Sequence, residues 1–226
     1  MTSHDQHRHQ SRSPRRLPPG PTVALVAIQC AVAVLVAACG SGSGKAVPAA
    51  PAASASTGRP TDFAIAATSL PPRWRDSNSQ GLDYRVTVCG VDLEPKPPVA
   101  ATSLRFAKGP VGPFLEQHIR TYSDDQAARV IRALQKALPG CTRYEAKGSD
   151  PQSRTATFRV EPLTVEGATS ESVSWRQTTE GRLPITSDLL LTHRGNTAVL
   201  FMSYVIKGKP DPAVLAKALE ALPQGP

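Results

Sequence analysis

The residue with the clearest chemistry is Cys39, which ends the stretch Leu35-Val36-Ala37-Ala38-Cys39. An apolar run from Val23 to Val36 leads into this stretch, and arginines precede the run at positions 8, 12, 15 and 16. A basic segment, an apolar segment too short for a comfortable permanent span, and small residues before a cleavage point are the parts of an export signal. A thiol directly after those small residues completes the lipobox of a lipoprotein. We therefore predict that residues 1–38 are removed and that Cys39 becomes the acylated N-terminus.

Acylation at Cys39 also predicts where the mature protein lies. Two or more acyl chains hold a protein stably on a bilayer, so we expect a cell-membrane location, lipid-anchored on the extracytoplasmic face. Arg15 and Arg16 hint at a twin-arginine signal, and the choice between the general secretory and twin-arginine routes stays open. The alternative interpretation is a chance cysteine within a membrane anchor.

The remaining thiols predict one disulfide. Of the four cysteines, Cys30 lies in the discarded apolar run and Cys39 takes the lipid, which leaves Cys89 and Cys141. A pair of thiols in an oxidising compartment is expected to be bridged. Two thiols without a nearby pair of histidines fall short of the four ligands of a structural zinc site. We predict no metal site and no cofactor.

Residues with catalytic potential are sparse in the exported part of the chain. Its histidines are His118 and His193, and neither lies in a known hydrolase or metalloprotease motif. His118 shares a predicted strand face with Glu116 and Arg120, which is either a polar site or an ordinary solvated face. We therefore predict no enzyme and no catalytic residue. If a ligand cleft exists, we expect His118 and Arg120 to line it, with Trp175 contributed by a neighbouring strand.

Length, composition and charge define the domain organisation. Removing residues 1–38 leaves 188 of 226 residues and lowers the formal net charge from +8 to +5. Residues 39–60 comprise the acylated N-terminus and a tether of Gly, Ser, Ala and Pro, and residues 61–222 form one domain of ordinary size. The positive charges are dispersed, without the basic and aromatic interleaving of a nucleic-acid face.

The elements that position these residues are mostly strands. Alternation with a period of two predicts strands over residues 84–89, 101–107, 114–122, 154–160, 173–178, 185–194 and 197–206. The last two face each other across Gly195-Asn196, which is typical of a hairpin. Residues 198–206 are the most apolar run after the signal, so we expect them to form the central, best-buried strand.

Two helices complete the predicted fold. Ser123 offers an N-cap with Gln126 three residues later, and apolar residues at helical spacing run from Ala127 to Leu138. Asp211-Pro212 opens a short second helix. Strands and helices do not alternate as βαβ units, so we predict an α+β fold, a mainly antiparallel β-sheet packed on one side by two α-helices.

A family resemblance rests on three features of the chain. They are Tyr84-Arg85-Val86-Thr87-Val88-Cys89-Gly90-Val91; Tyr122-Ser123-Asp124-Asp125-Gln126-Ala127-Ala128 with the helix that leads to Cys141; and the final hydrophobic strand and helix. This pattern resembles the actinobacterial sensor-domain lipoproteins, which are similar to the extracellular sensor domain of the PknH-type Ser/Thr kinase. The resemblance implies an antiparallel sheet with helices, a cleft for an extracellular ligand, and no catalytic activity. The chain departs from the kinase sensor in having one candidate disulfide where that domain has two.

Together these features predict a membrane-anchored lipoprotein whose α+β domain binds an unknown envelope or extracellular ligand as a sensor-like module. Two other functions stay open: an accessory or structural partner of a cell-envelope complex, and an envelope hydrolase. A binding module needs an apolar cleft with convergent polar groups. A hydrolase needs a histidine within hydrogen-bond reach of a serine or carboxylate in that cleft, and an accessory protein should show an exposed apolar patch instead.

Overall fold

A computed structural model of the chain describes residues 58–78, 81–82, 87–147 and 154–224. Cys39, most of the predicted tether, and residues 84–86 of the first predicted strand lie outside these ranges. The strands are β1 (Arg75–Asp76), β2 (Thr87–Val88), β3 (Val91–Asp92), β4 (Ala100–Ala107), β5 (Phe114–Thr121), β6 (Arg143–Ala146), β7 (Ala156–Pro162), β8 (Ser172–Thr179), β9 (Thr186–Arg194) and β10 (Thr197–Val205). The α-helices of these ranges are α1 (Gln126–Ala137) and α2 (Ala213–Glu220).

Within the described ranges, eight of the strands form one antiparallel sheet in the order β1-β4-β5-β10-β9-β8-β7-β6. β9 and β10 pair across the turn at Gly195 and Asn196, with Thr197 opposite Arg194, so the predicted hairpin is confirmed. β10 also pairs with β5 on its other side. The most apolar run of the predicted domain therefore lies in the middle of the sheet, as expected from its composition.

β2 and β3 form a separate small hairpin. Its turn consists of Cys89 and Gly90, whose φ angles are +51° and +78°. Two consecutive positive φ angles are what a two-residue type I′ turn requires. The predicted strand over 84–89 thus contributes Thr87 and Val88 to this hairpin and not to the main sheet.

The two α-helices lie on opposite faces of the sheet, which corrects the prediction that both pack on one side. Leu189 and Leu191 of β9 share a core with Val130, Ile131 and Leu134 of α1. Leu190, between them, shares the other core with Val214, Leu215 and Ala218 of α2. Because successive side chains of a strand point to opposite faces, each helix covers its own face. Seven consecutive residues of β9 are buried, so the centre of the sheet is covered on both faces.

Helix α1 follows the predicted spacing but begins differently at its N-terminus. Its buried residues include Ala127, Val130, Ile131 and Leu134, which is one face of a helix. The N-cap position is Asp125 and not Ser123, and the carboxylate of Asp124 accepts a hydrogen bond from the Gln126 amide at 3.1 Å. The Arg129 side chain donates to Asp124 and holds the pKa of that carboxyl below its usual value. The first turn is thus closed by an aspartate and not by the predicted capping box.

The N-terminal segment of the domain is fastened to β5 by one buried amide. The side chain of Gln117, which is fully buried, accepts from the Ile65 amide at 3.1 Å and donates to the Phe63 carbonyl at 2.7 Å. Phe63, Ile65 and Trp74 join the core on the α2 side of the sheet. The segment therefore extends the cover that α2 gives to this face.

Candidate functional site

The predicted disulfide is present between Cys89 and Cys141, with Cα atoms 5.9 Å apart. Cys89 lies in the turn of the β2–β3 hairpin, and Cys141 follows the short 3₁₀ turn Leu138–Gly140 at the end of α1. The bridge therefore ties the end of α1 to the small hairpin.

A groove of about 460 Å³ opens beside this bridge, between the end of α1 and strands β7 and β8. We call it the α1 groove; its apolar lining is Leu138, Pro139, Cys141, Val160, Pro162, Leu163, Val173 and Trp175, and its polar lining is Gln135, Thr142, Glu161 and Ser174. Its volume lies within the usual range for small-molecule sites. Val160 and Trp175 belong to the core beneath α1, so the groove is open at its mouth and rests on a packed floor.

Most polar groups around the α1 groove are already engaged within the protein. The Gln135 side-chain amide donates to the carbonyls of Ser170 and Ser172, and the Ser174 hydroxyl donates to the Leu163 carbonyl at 2.8 Å. Glu161 is the charged residue of the lining, and Lys209 pairs with it at 3.2 Å. A groove with satisfied polar groups and an apolar wall favours an apolar, uncharged occupant.

Trp175 forms part of the groove floor. Its side chain is 1% exposed, and its indole nitrogen donates to the Gln177 side-chain oxygen at 3.0 Å. The same oxygen accepts from the Tyr144 hydroxyl at 2.6 Å. These two hydrogen bonds fix the indole plane, so the tryptophan is a rigid part of the floor.

The structure places His118 and Arg120 away from Trp175. One face of the sheet carries a row of cross-strand partners on β8, β9, β10 and β5, namely Trp175, Leu189, Met202 and Glu116. β8 and β5 are separated by three strand spacings, a distance of about 14 Å. His118 and Arg120 are neighbours on one face of β5, as predicted from the alternation, but they do not line the α1 groove.

His118 is almost fully buried and lies between a serine and a carboxylate. Its Nδ1 is 2.9 Å from the Ser103 hydroxyl on β4, and its Nε2 is 3.0 Å from Oε2 of Glu116. The approach of Nε2 to Oε2 of Glu116 is outside hydrogen-bond geometry, so the two groups are in close contact without an aligned hydrogen bond. Ser103 is exposed, whereas Glu116 is fully buried.

The segment at residues 81–82 covers Glu116. The Leu82 amide donates to Oε1 of Glu116 at 2.6 Å. A side chain at position 81 would collide with the Glu116 carboxylate and the Arg105 side chain, so glycine is required by this close approach. Burial raises the pKa of the Tyr204 hydroxyl, and the neighbouring Glu116 carboxylate adds to the effect.

Arg120 has a structural partner. Its Nε donates to Glu94 at 2.7 Å and one Nη donates to the Thr102 carbonyl, with both side chains of the ion pair mostly buried. The pair joins β5 to the loop before β4.

Alternation in the sequence identified Glu116, His118 and Arg120 as one face of a strand. It did not identify Ser103, because that residue is placed opposite His118 only by the register of β4 against β5.

In residues 58–78, 81–82, 87–147 and 154–224 there is no cluster of three or more histidine, cysteine or acidic residues placed to hold a metal ion. In the same ranges no helix has the length and apolar character of a membrane span.

Comparison with known proteins gives remote structural likenesses. No family model matches the chain. No curated protein matches it either. Among solved structures, the extracellular domain of PknH from Mycobacterium tuberculosis aligns over 65% of this chain and 80% of its own, with a TM-score of 0.42 and 12% identity. A Bacteroides thetaiotaomicron structure aligns over 68% of this chain and 42% of its own, with a TM-score of 0.35 and 15% identity.

Proposed function

We propose that the chain is an extracytoplasmic lipoprotein, anchored through Cys39, whose α+β domain binds a small apolar ligand in the α1 groove as a sensor-like module. One observation carries the binding proposal. The α1 groove, of about 460 Å³, has a mainly apolar lining, and the indole in its floor is fixed by hydrogen bonds. Burial of apolar ligand surface in such a groove is favourable at roughly 25 cal/mol per Å² before the cost of association.

The binding proposal is tested by filling the groove. Thr142 lines it and is exposed, so a Thr142→Trp variant places an indole in the groove without changing the core. Thr155→Trp is the matched control, because Thr155 is also exposed and lies outside the lining. With the mature chain from Gly40 onward, the neutral fluorophore N-phenyl-1-naphthylamine should bind wild type and the control, and bind Thr142→Trp at least about tenfold more weakly. Equal binding by the two variants would contradict the proposal.

The anchoring proposal is supported by the signal pattern that ends at Cys39 and by the disulfide. Bridged cysteines are typical of proteins that fold in an oxidising compartment. We expect the mature N-terminus, isolated from the envelope of a host that acylates lipoproteins, to carry a diacylglyceryl group on Cys39. A Cys39→Ser protein should lose this mass and leave the membrane fraction. An unmodified N-terminus in the wild-type protein would refute the anchor.

A second candidate function is an envelope hydrolase, and the contacts of His118 favour it. An exposed Ser103 hydroxyl beside His118, with Glu116 behind the ring, has the residue types of nucleophile, base and carboxylate. The unaligned carboxylate contact, and the position of all three residues outside the α1 groove, rank this function below binding. A fluorophosphonate probe should leave Ser103 unlabelled if the domain only binds. If the probe labels the wild type and the control variant Ser123→Ala but does not label Ser103→Ala, the hydrolase function is established.

The accessory alternative is less well supported by the surface. The exposed large apolar residues of the described ranges are Val99, Val111 and Leu183. Val99 precedes β4 and Val111 follows it, so the eight residues of that strand lie between them. Single exposed apolar side chains are normal on a monomeric protein. A pull-down from envelope extract that captures one stoichiometric partner, unchanged by Thr142→Trp, would favour the accessory function.

A further inference from the structure

A second groove, on the α2 side of the sheet, has a different chemical character. It measures about 480 Å³ and lies between α2, the loop before β8, and the end of β9. We call it the α2 groove; its charged lining residues are Glu166, Arg194, Lys217 and Glu220, and its hydroxyl-bearing ones are Thr169, Ser172 and Thr192. Thr192 lies two residues from Leu190 on β9 and therefore shares its face, on the side away from the α1 groove floor.

Among the charged lining residues of the α2 groove, Arg194 is partly buried, whereas Glu166, Lys217 and Glu220 are exposed. One Nη donates to the His193 carbonyl at 3.1 Å, and the Nε atom is buried without a hydrogen-bond partner. No carboxylate in the described ranges lies within ion-pair distance of the Arg194 side chain. By contrast, Arg120 and Arg176, whose side chains are mostly buried, each pair with a carboxylate at 2.7 Å or less.

An unpaired, half-buried guanidinium is costly, because burial removes water without supplying a partner. Arginine carries five N–H donors in a planar fork that matches carboxylate and phosphate oxygens. The hydrogen bond to the His193 carbonyl uses one of these donors. The remaining donors are therefore available for an anion that enters the groove.

The other charges of the α2 groove lie at its exposed rim. Lys217 pairs with Glu220 at 2.6 Å, which raises the pKa of the lysine, and Glu166 is an exposed residue of the same rim. Exposed charges are screened by solvent and salt and count for little beside a buried one. The charge that selects the ligand is thus the one on Arg194.

One hydroxyl group and an apolar wall complete the site, since the hydroxyls of Ser172 and Thr192 already donate to backbone carbonyls. The Thr169 hydroxyl accepts a hydrogen bond from the Glu171 amide, which leaves its proton free to be donated. Leu219, Ala213 and Ala216 supply an apolar wall from α2. The combination fits a small molecule with one anionic group and a short apolar body.

We propose that the α2 groove binds a carboxylate or phosphate monoester with a short alkyl portion, and that Arg194 holds the anionic group. This site is independent of the α1 groove. The two proposals can therefore fail separately.

The probes for this site are octanoate, octyl phosphate, octanol and inorganic phosphate. They are titrated into the mature chain from Gly40 onward that also carries Thr142→Trp, which fills the α1 groove. The signal is the Nε–Hε resonance of Arg194 together with the backbone amides of Thr169 and Thr192 in two-dimensional NMR. We expect one or both octyl anions to shift these resonances, and octanol to leave them unchanged. The octyl anion that binds more tightly identifies the head group, carboxylate or phosphate, that the α2 groove prefers.

Arg194→Gln should weaken binding of the preferred anion by about 10- to 100-fold, the usual value of a charged hydrogen bond. Arg159→Gln, at an exposed arginine on β7, is the matched control and should bind as wild type does. Removal of an unpaired charge should not lower the free energy of unfolding of Arg194→Gln, so a folding defect is not expected. Octanol binding as strongly as the anions, unchanged binding by Arg194→Gln, or no shift of the three resonances by either octyl anion would each overturn the proposal.

Discussion

Replacing both Cys89 and Cys141 by serine will lower the free energy of unfolding by about 4 kcal/mol. The bridge closes a loop with a sequence separation of 52 residues. In the chain-entropy model a loop of this length costs the unfolded chain roughly 14 cal/mol/K of entropy, which is about 4 kcal/mol at 25 °C. For a domain of this size the melting temperature should fall by about 8–16 °C.

Urea unfolding of the mature chain, followed by tryptophan fluorescence, measures this loss. Reductant should bring the wild type close to the double serine variant and should leave that variant unchanged. Because Cys141 lines the α1 groove, the variant should also bind N-phenyl-1-naphthylamine more weakly. A loss below about 1 kcal/mol, or a reductant effect on the variant, would refute the view that this bridge fastens the end of α1 to the small hairpin.

Three further substitutions test other parts of the structure. Asp188→Asn removes the carboxylate that Arg176 contacts with two nitrogens at 2.5 and 2.7 Å, and should cost about 3–5 kcal/mol in urea unfolding because a mostly buried arginine loses its partner. Gln117→Leu leaves the Ile65 amide without its acceptor and should cost about 1–3 kcal/mol, with faster hydrogen exchange at that amide. Burial, with the Glu94 carboxylate second, raises the pKa of Tyr122 from 10 to about 12. The contribution of neutral Tyr122 to the free energy of unfolding should therefore be fully present below pH 10 and be lost as the pH rises through about 12. In urea unfolding, Tyr122→Phe should show a smaller decrease in this free energy at alkaline pH.

The local elements of the fold follow from the sequence because their signals are local. Alternation predicts β4 and β5, and Gly195-Asn196 predicts the hairpin, since each pattern depends on neighbours in the chain. The strand β6 escapes prediction because four residues with two buried side chains make a short pattern. Its place at the sheet edge depends on pairing with β7, a non-local contact.

The side of the sheet on which each helix packs is a different kind of question. The unbroken apolar run of β10 indicates a strand buried on both faces, and a sheet covered by helices on one side alone would leave the other face of that strand open. The run therefore contains the signal that contradicts packing on one side. Nothing local to α1 or α2 tells which of the two faces each one covers.

The candidate site shows the same limit. The face of β5 that carries His118 and Arg120 is visible in the alternation, and Trp175 is recognisable as a large buried side chain. Their separation is set by the insertion of β10 and β9 between β5 and β8, which is a matter of strand order. Likewise, the lack of a carboxylate beside Arg194 is visible only after the chain has folded.

Native mass spectrometry of the acylated protein, purified from membranes in mild detergent, tests the central claim most directly. Wild type and Thr155→Trp should each carry a diacylglyceryl-type mass on Cys39 and retain a small apolar molecule without a covalent bond. Thr142→Trp should carry the same acyl mass and release that molecule, because its added indole occupies the α1 groove. Retention of the molecule by all three proteins, or its absence from all three, would contradict the assignment of the α1 groove as the ligand site.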